Sequence, residues 1–175
     1  MKSALFLRFH GTVSRREEAA PHLKASGDAV LIERGRPRLL IVSCPCGCGE
    51  NFPINLDPRA GPAWRLYKSR GDALTVFPSV WRESGCCSHF IIWRDQILLF
   101  GQNDEDFDSV HDDSTLPSPD AVYQQLPSEG LLAFANIAEA IEAVPWDVLK
   151  ICRQLVRGGF VREGRGKQRG WFGRK

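Results

Sequence analysis

Apolar positions in the first hundred residues recur every second residue in short runs, whereas beyond residue 130 they recur with a period near 3.6. Leu5, Leu7 and Phe9 alternate with Phe6, Arg8 and His10 as in a strand, and Ser14-Arg15-Arg16-Glu17-Glu18 before Ala19-Ala20 suits a short capped helix or a loop. The β-branched runs 29–33 and 38–43, joined by Gly35-Arg36-Pro37, predict a hairpin. Runs 52–56, 64–68 and 73–77 also alternate, separated by turn chemistry at Asp57-Pro58, Gly61-Pro62 and Arg70-Gly71-Asp72. A last hairpin, 89–93 with 96–100, turns at Arg94-Asp95. Short, regularly spaced strands of this kind predict an antiparallel β-rich domain over residues 1–101.

Residues 102–118 break the pattern. They hold Asn103-Asp104-Glu105-Asp106 and Asp112-Asp113 without any Lys or Arg, and Pro117 with Pro119 stiffens the exit, so they are expected to form an acidic linker. In 119–175 the apolar face Leu131, Leu132, Phe134, Ile137, Ala138 and Ile141 predicts one helix. Pro145 opens a second, in which Val148, Ile151, Cys152, Leu155 and Val156 continue a stripe to Gly158-Gly159. A terminal hairpin follows over 160–172. The order helix, turn, helix, hairpin resembles the winged-helix family, with Trp146 to Arg157 matching its recognition helix and Arg165 to Lys167 its wing tip. The expected fold class is α+β: an antiparallel β-rich metal-binding domain followed by a helical, winged-helix-like module.

Composition narrows the setting. With 43% hydrophobic and 25% charged residues the 175-residue chain is globular, and no run approaches the roughly 18 apolar residues of a membrane helix. The apolar patch at the N-terminus is too short for a signal segment and is interrupted by Arg8 and His10, so a cytoplasmic location without membrane attachment is expected. A reducing compartment favours metal binding over disulfides for clustered cysteines. The net charge of +2 conceals segregation: residues 1–94 carry 14 basic and 8 acidic side chains, 95–147 none and 12, and 148–175 nine and one. Such blocks suit distinct partners, or an acidic stretch screening a basic one in cis.

The chemistry concentrates in Cys44-Pro45-Cys46-Gly47-Cys48-Gly49 and Ser84-Gly85-Cys86-Cys87-Ser88-His89-Phe90, which hold five of the six cysteines. Zinc sites draw four ligands from short loops of this kind. Cys44, Cys46, Cys48, Cys86, Cys87 and His89 supply six candidates for four positions, and Cys86-x-x-His89 is ordinary ligand spacing. Thiolate-rich donors exclude magnesium and calcium and leave iron as the alternative to zinc. Cys152, on a helical apolar stripe, is expected to be a core residue. Hydroxyls beside an imidazole are also the raw material of a serine nucleophile with a histidine base. Neighbours on a strand face opposite ways, so Ser84 with His89, or Ser88 with another base, are equally open, with Glu50 a candidate orienting carboxylate.

The two cysteine motifs, with Pro78-Ser79-Val80 between them, resemble a family of small bacterial proteins of unknown function marked by Cys-Pro-Cys-Gly-Cys-Gly and Ser-Gly-Cys-x-Ser-His-Phe, over roughly residues 30–101. Members tend to be encoded beside ubiquitin-like proteins and their activating and conjugating enzymes. The resemblance therefore implies processing or removal of a ubiquitin-like tag. Its pattern leaves position 87 free, which favours Cys86 over Cys87. Cys44, Cys46, Cys48 and Cys86 would then fill a structural zinc site and release Ser84, Ser88 and His89 for catalysis.

Two expectations result. One is a zinc-stabilised, serine-type peptidase or isopeptidase, deubiquitinase-like, acting on a bacterial ubiquitin-like protein and its conjugates. The other is a non-enzymatic zinc protein whose winged helix binds protein or nucleic acid through Lys150, Arg153, Arg157 and the basic residues that follow.

Overall fold

The β-branched runs form the hairpin expected of them: β2 (Asp28–Glu33) and β3 (Pro37–Ser43) pair antiparallel in the computed structural model, which describes residues 4–68, 72–100 and 116–175. The acidic linker read over 102–118 lies, up to residue 115, outside the described residues. The chain divides into two compact units, Met1–Asp106 and Phe107–Lys175.

In the first unit, β1 (Arg8–Val13) precedes the hairpin and β4 (Asn51–Asn55) extends it, giving a four-stranded sheet in the order β1-β2-β3-β4. One pairing departs from the antiparallel expectation: β1 runs parallel to β2, with Arg8 opposite Asp28. A parallel neighbour needs a crossover of about a dozen residues. Residues 14–27 provide it through two 3₁₀ turns, Arg16–Glu18 and Ala20–His22. Those turns cover the sheet, so that Ala19 packs with Val30, Ile32 and Ile41 on one side of β2 and β3. Gly27 closes the crossover at φ +84, where a Cβ would lie 2.6 Å from the Phe6 carbonyl oxygen.

A second four-stranded sheet comprises β5 (Arg65–Lys68), β6 (Leu74–Trp81), β7 (His89–Trp93) and β8 (Gln96–Leu99), antiparallel in that order. Arg94 and Asp95, at φ +51 and +60, turn β7 into β8 with the left-handed backbone a tight hairpin requires. Leu31, Leu40, Val42 and Ile54 from the first sheet meet Val76, Val80, Phe90 and Ile92 from the second in one apolar core. Strand β6 outruns its expected end. Pro78 cannot donate to a ladder, yet the strand passes it through a register shift between Val76, opposite Ile92, and Val80, opposite Phe90.

The second unit contains α1 (Pro119–Gln125), β9 (Leu132–Ala133), α2 (Phe134–Ala140), α3 (Pro145–Arg157), β10 (Val161–Glu163) and β11 (Trp171–Arg174). Helix α1, absent from the sequence reading, starts where the Ser118 hydroxyl accepts from the Ala121 amide, with Pro119 at the first helical position. The three strands form an antiparallel sheet in the order β10-β11-β9. Cys152 is fully buried. The observed class is thus mixed α+β, with strands dominating the N-terminal unit and helices the C-terminal one. Among the described residues, no helix is long and apolar enough to cross a membrane.

Candidate active site and metal centre

Strand β3 runs straight into the first cysteine loop. The Cys44 amide donates to the Glu50 carbonyl at 2.8 Å and the Gly47 amide to the Cys44 carbonyl at 3.1 Å. Gly47 and Gly49, at φ +87 and +83, let three alternate cysteines curl toward one point. Cys86 arrives from the β6–β7 connection, itself bent by left-handed Gly85 and Cys87. The sulfurs of Cys44, Cys46, Cys48 and Cys86 all lie within 4.8 Å of one another, with Cys44 at 3.3 Å from Cys46 and 3.7 Å from Cys86. A tetrahedral zinc with bonds of about 2.3 Å would hold its sulfurs about 3.8 Å apart. The donor set and its spacing fit such an ion.

The local electrostatics point the same way. Burial pushes the Cys44 thiol up to about 12. Burial also opposes ionisation of Cys46, but the Cys44 thiol, the Cys48 amide and the Ser88 hydroxyl stabilise its thiolate and bring it down to about 7. Ser88 is 5% exposed, and its enclosed Oγ has no conventional hydrogen-bond partner. It lies close enough to the Cys44 and Cys46 sulfurs to favour their charged forms. A buried hydroxyl beside crowded thiols fits a metal centre, because metal-held thiolates would be its natural acceptors.

His89 faces the other way. Alternation along β7 sends Ser88 and Phe90 inward and His89 outward, where Trp81 stands opposite it on β6. Phe100, whose amide donates to the His89 carbonyl, stacks on the imidazole with ring centroids 4.0 Å apart and planes 20° apart. Ser79 shares the outer face of β6 with Trp81, and His89 Nε2 lies 3.0 Å from Ser79 Oγ. The Trp64 indole donates to the Ser79 carbonyl at 3.2 Å and fixes that stretch of backbone. Burial lowers the His89 pKa below its ordinary value of 6.5, which favours the neutral imidazole.

Each residue singled out in the sequence can now be placed. Cys44, Cys46, Cys48 and Cys86 converge; Cys87 is exposed and its thiol meets the Gly85 carbonyl at 3.8 Å. His89 lies outside the cysteine cluster. Ser84 is exposed on the β6–β7 turn, and Ser88 turns toward the cysteines. Glu50 is ion-paired with Arg82. Among the described residues no carboxylate is hydrogen-bonded to His89. The hydroxyl that reaches the imidazole is that of Ser79, which was not among the sequence candidates; the signal available was its place between the two motifs, two residues from Trp81. In the second unit, Lys150 is buried, and Lys150, Arg153 and Arg157 each already hold a partner. Arg165, Lys167 and Arg169, the further cations of the nucleic-acid reading, are exposed.

A hydroxyl within hydrogen-bond reach of an imidazole is one component of a serine nucleophile, and here it lies on the sheet whose β6–β7 connection also supplies Cys86. Residues 15–100 match the model of a family described as bacterial ubiquitination-like system serine protease (BubE), a span that includes the cysteine cluster, Ser79 and His89. The match supports a protease role in general. No curated protein and no solved structure matches the chain.

Proposed function

We propose that the N-terminal domain, residues 1–101, is a zinc-stabilised serine peptidase or isopeptidase that acts on a bacterial ubiquitin-like protein and its conjugates. Ser79 is the nucleophile and His89 the general base. The observation that carries this reading is the 3.0 Å approach of Ser79 Oγ to His89 Nε2. With its proton on Nδ1, His89 accepts from the hydroxyl through Nε2. As Ser79 Oγ attacks the substrate carbonyl carbon, its proton passes to Nε2. Collapse of the tetrahedral adduct breaks the carbonyl C–N bond, and Nε2 returns the proton to the departing amine. Water, deprotonated by the same nitrogen, then releases the acyl group from Ser79. Stacking on Phe100 limits tilting of the ring in this reading.

Zinc held by Cys44, Cys46, Cys48 and Cys86 would have no open coordination position, so it would supply a cross-link between β3 and the β6–β7 connection rather than chemistry. Ser88 supports those thiolates in this reading. The helix, helix and hairpin order of residues 119–175 supports a winged-helix-like module that recruits protein partners, among them the conjugating machinery.

A fluorophosphonate probe, which esterifies activated serines by displacing fluoride, tests the assignment without knowledge of the substrate. Labelling is expected on Ser79, absent in Ser79→Ala and His89→Ala and retained in Ser84→Ala and Ser88→Ala. Labelling on Ser84 or Ser88, or none at all, overturns it. Cleavage of a ubiquitin-like protein extended at its C-terminus tests the substrate class.

A further inference from the structure

Asp57 lies at the end of β4 and is 4% exposed. Its Oδ2 accepts from Arg36 Nη2 at 3.0 Å and from Arg38 Nη1, and its Oδ1 accepts from the amide and Nε of Arg59 at 3.2 and 3.4 Å. That fills the four acceptor positions of a carboxylate. Three guanidiniums gathered on one carboxylate leave two positive charges uncompensated, and among the described residues no second carboxylate is ion-paired with them. The Nε groups of Arg36 and Arg38 have no partner. One carboxylate cannot neutralise three guanidiniums, so the cluster presents net positive charge that a further anion would offset. Arg59 lies in the turn Pro58–Ala60 that Asp57 itself caps, whereas Arg36 and Arg38 are brought to it by the β2–β3 hairpin, 21 and 19 residues away.

The cluster is also wired to Ser79. Asn55 spans the loop that carries Asp57: its side chain accepts from the Asp57 amide and donates to the Asp57 and Pro62 carbonyls, and its own carbonyl receives the Trp64 amide. The Trp64 indole then holds the Ser79 carbonyl. One braced loop, residues 55–64, therefore links the arginines to the strand that presents the nucleophile.

We propose that Arg36, Arg38 and Arg59 form an oxyanion-binding site that docks a carboxylate-bearing, acidic segment of the protein substrate. The site stands without catalysis, and its part in substrate recognition rests on the peptidase reading. Arginine suits the task because its planar donors meet carboxylates in pairs and keep their charge at any working pH.

The full chain is titrated with N-acetylated hexaglutamate, hexaglutamine and inorganic phosphate. Binding of the glutamate peptide alone, weakening steeply as salt rises from 50 to about 200 mM, supports the proposal. Equal binding of hexaglutamine overturns it, and tighter binding of phosphate overturns the assignment to a protein segment. Arg59→Glu, at the most exposed of the three arginines, is expected to weaken the glutamate peptide at least tenfold while Arg36→Lys weakens it less; unchanged binding in Arg59→Glu overturns the site. Cleavage of the extended ubiquitin-like protein by Arg59→Glu should show a raised KM with kcat unchanged. Intact anion binding without any cleavage in the wild type would sink the peptidase reading and leave the site standing.

Discussion

The cysteine cluster and the serine–histidine pair lie on opposite faces of one strand end, yet they are assembled by different means. The cluster is made of loops: three cysteines within five residues and a fourth delivered by a left-handed turn. The pair is made of pleat and register: Ser79 and His89 sit ten positions apart on adjacent strands and meet because β6 and β7 align Trp81 with His89. A site built from loops would gain a fixed shape from a bound ion. One built on paired strands inherits the rigidity of the ladder beneath it, here anchored by fully buried Val80 and Phe90. Damage to the two faces should therefore have different signatures.

The largest effect is expected at the proposed nucleophile, Ser79. Ser79→Ala should lower kcat by about three to six orders of magnitude, as loss of a hydrolase serine does, while thermal stability and metal content stay at wild-type levels. A Ser79→Ala protein that turns over substrate normally would break the comparison at its centre. Next comes the metal face. Cys86→Ser, or removal of the ion by a chelator, should lower the melting temperature and the activity together, because it frees the connection that leads into His89. Full activity in a metal-free protein of unchanged stability would show that the cross-link does not position the strand. Smaller again is Ser88→Ala, which should weaken metal binding by about 10- to 100-fold, the usual cost of losing a group that supports a ligand. In the cobalt-loaded protein it should also shift the sulfur-to-metal charge-transfer band. A change in kcat with that band unmoved would instead place Ser88 on the catalytic face.

The contrast also explains what could be read from the chain. Local spacing marked six metal-ligand candidates, of which the family resemblance implied Cys44, Cys46, Cys48 and Cys86, the four that converge; the hairpins β2–β3 and β7–β8 were legible because alternation and turn residues are local. Strand alternation also predicts the opposed faces of Ser88 and His89. Ser79 was hidden by Pro78, which marks the end of a strand in any local reading; only pairing with β7 carries β6 past it to Trp81. The parallel β1–β2 pair was hidden likewise, since direction depends on where a crossover lands rather than on the pattern of the strand itself. Helix α1 was obscured by an acidic, proline-flanked context in which Pro119 reads as a breaker, although as a first helical residue it is a starter. The arginines around Asp57 were legible one by one and not as a group, being 36, 38 and 59 in the chain.

The finest test of the two faces is the pH profile. Catalysis through Ser79 needs His89 neutral, so kcat/KM should rise with pH and level off, with a midpoint below the ordinary imidazole value of 6.5 because burial disfavours the protonated ring. Phe100 supplies much of that burial from one side, at a centroid distance of 4.0 Å, and is itself 46% exposed, so its removal should be tolerated by the fold. Phe100→Ala opens the imidazole to water, which stabilises its charged form and moves the midpoint up toward 6.5. At pH 7 a histidine titrating at about 6.5 is still about three-quarters neutral, so the rate there should change less than about twofold while the acid limb shifts visibly. The metal face predicts the reverse pattern for Ser88→Ala: an unmoved midpoint and a more readily lost ion. A Phe100→Ala profile that coincides with wild type would mean that the ascending limb reports a group other than His89, and the general base would have to be sought elsewhere.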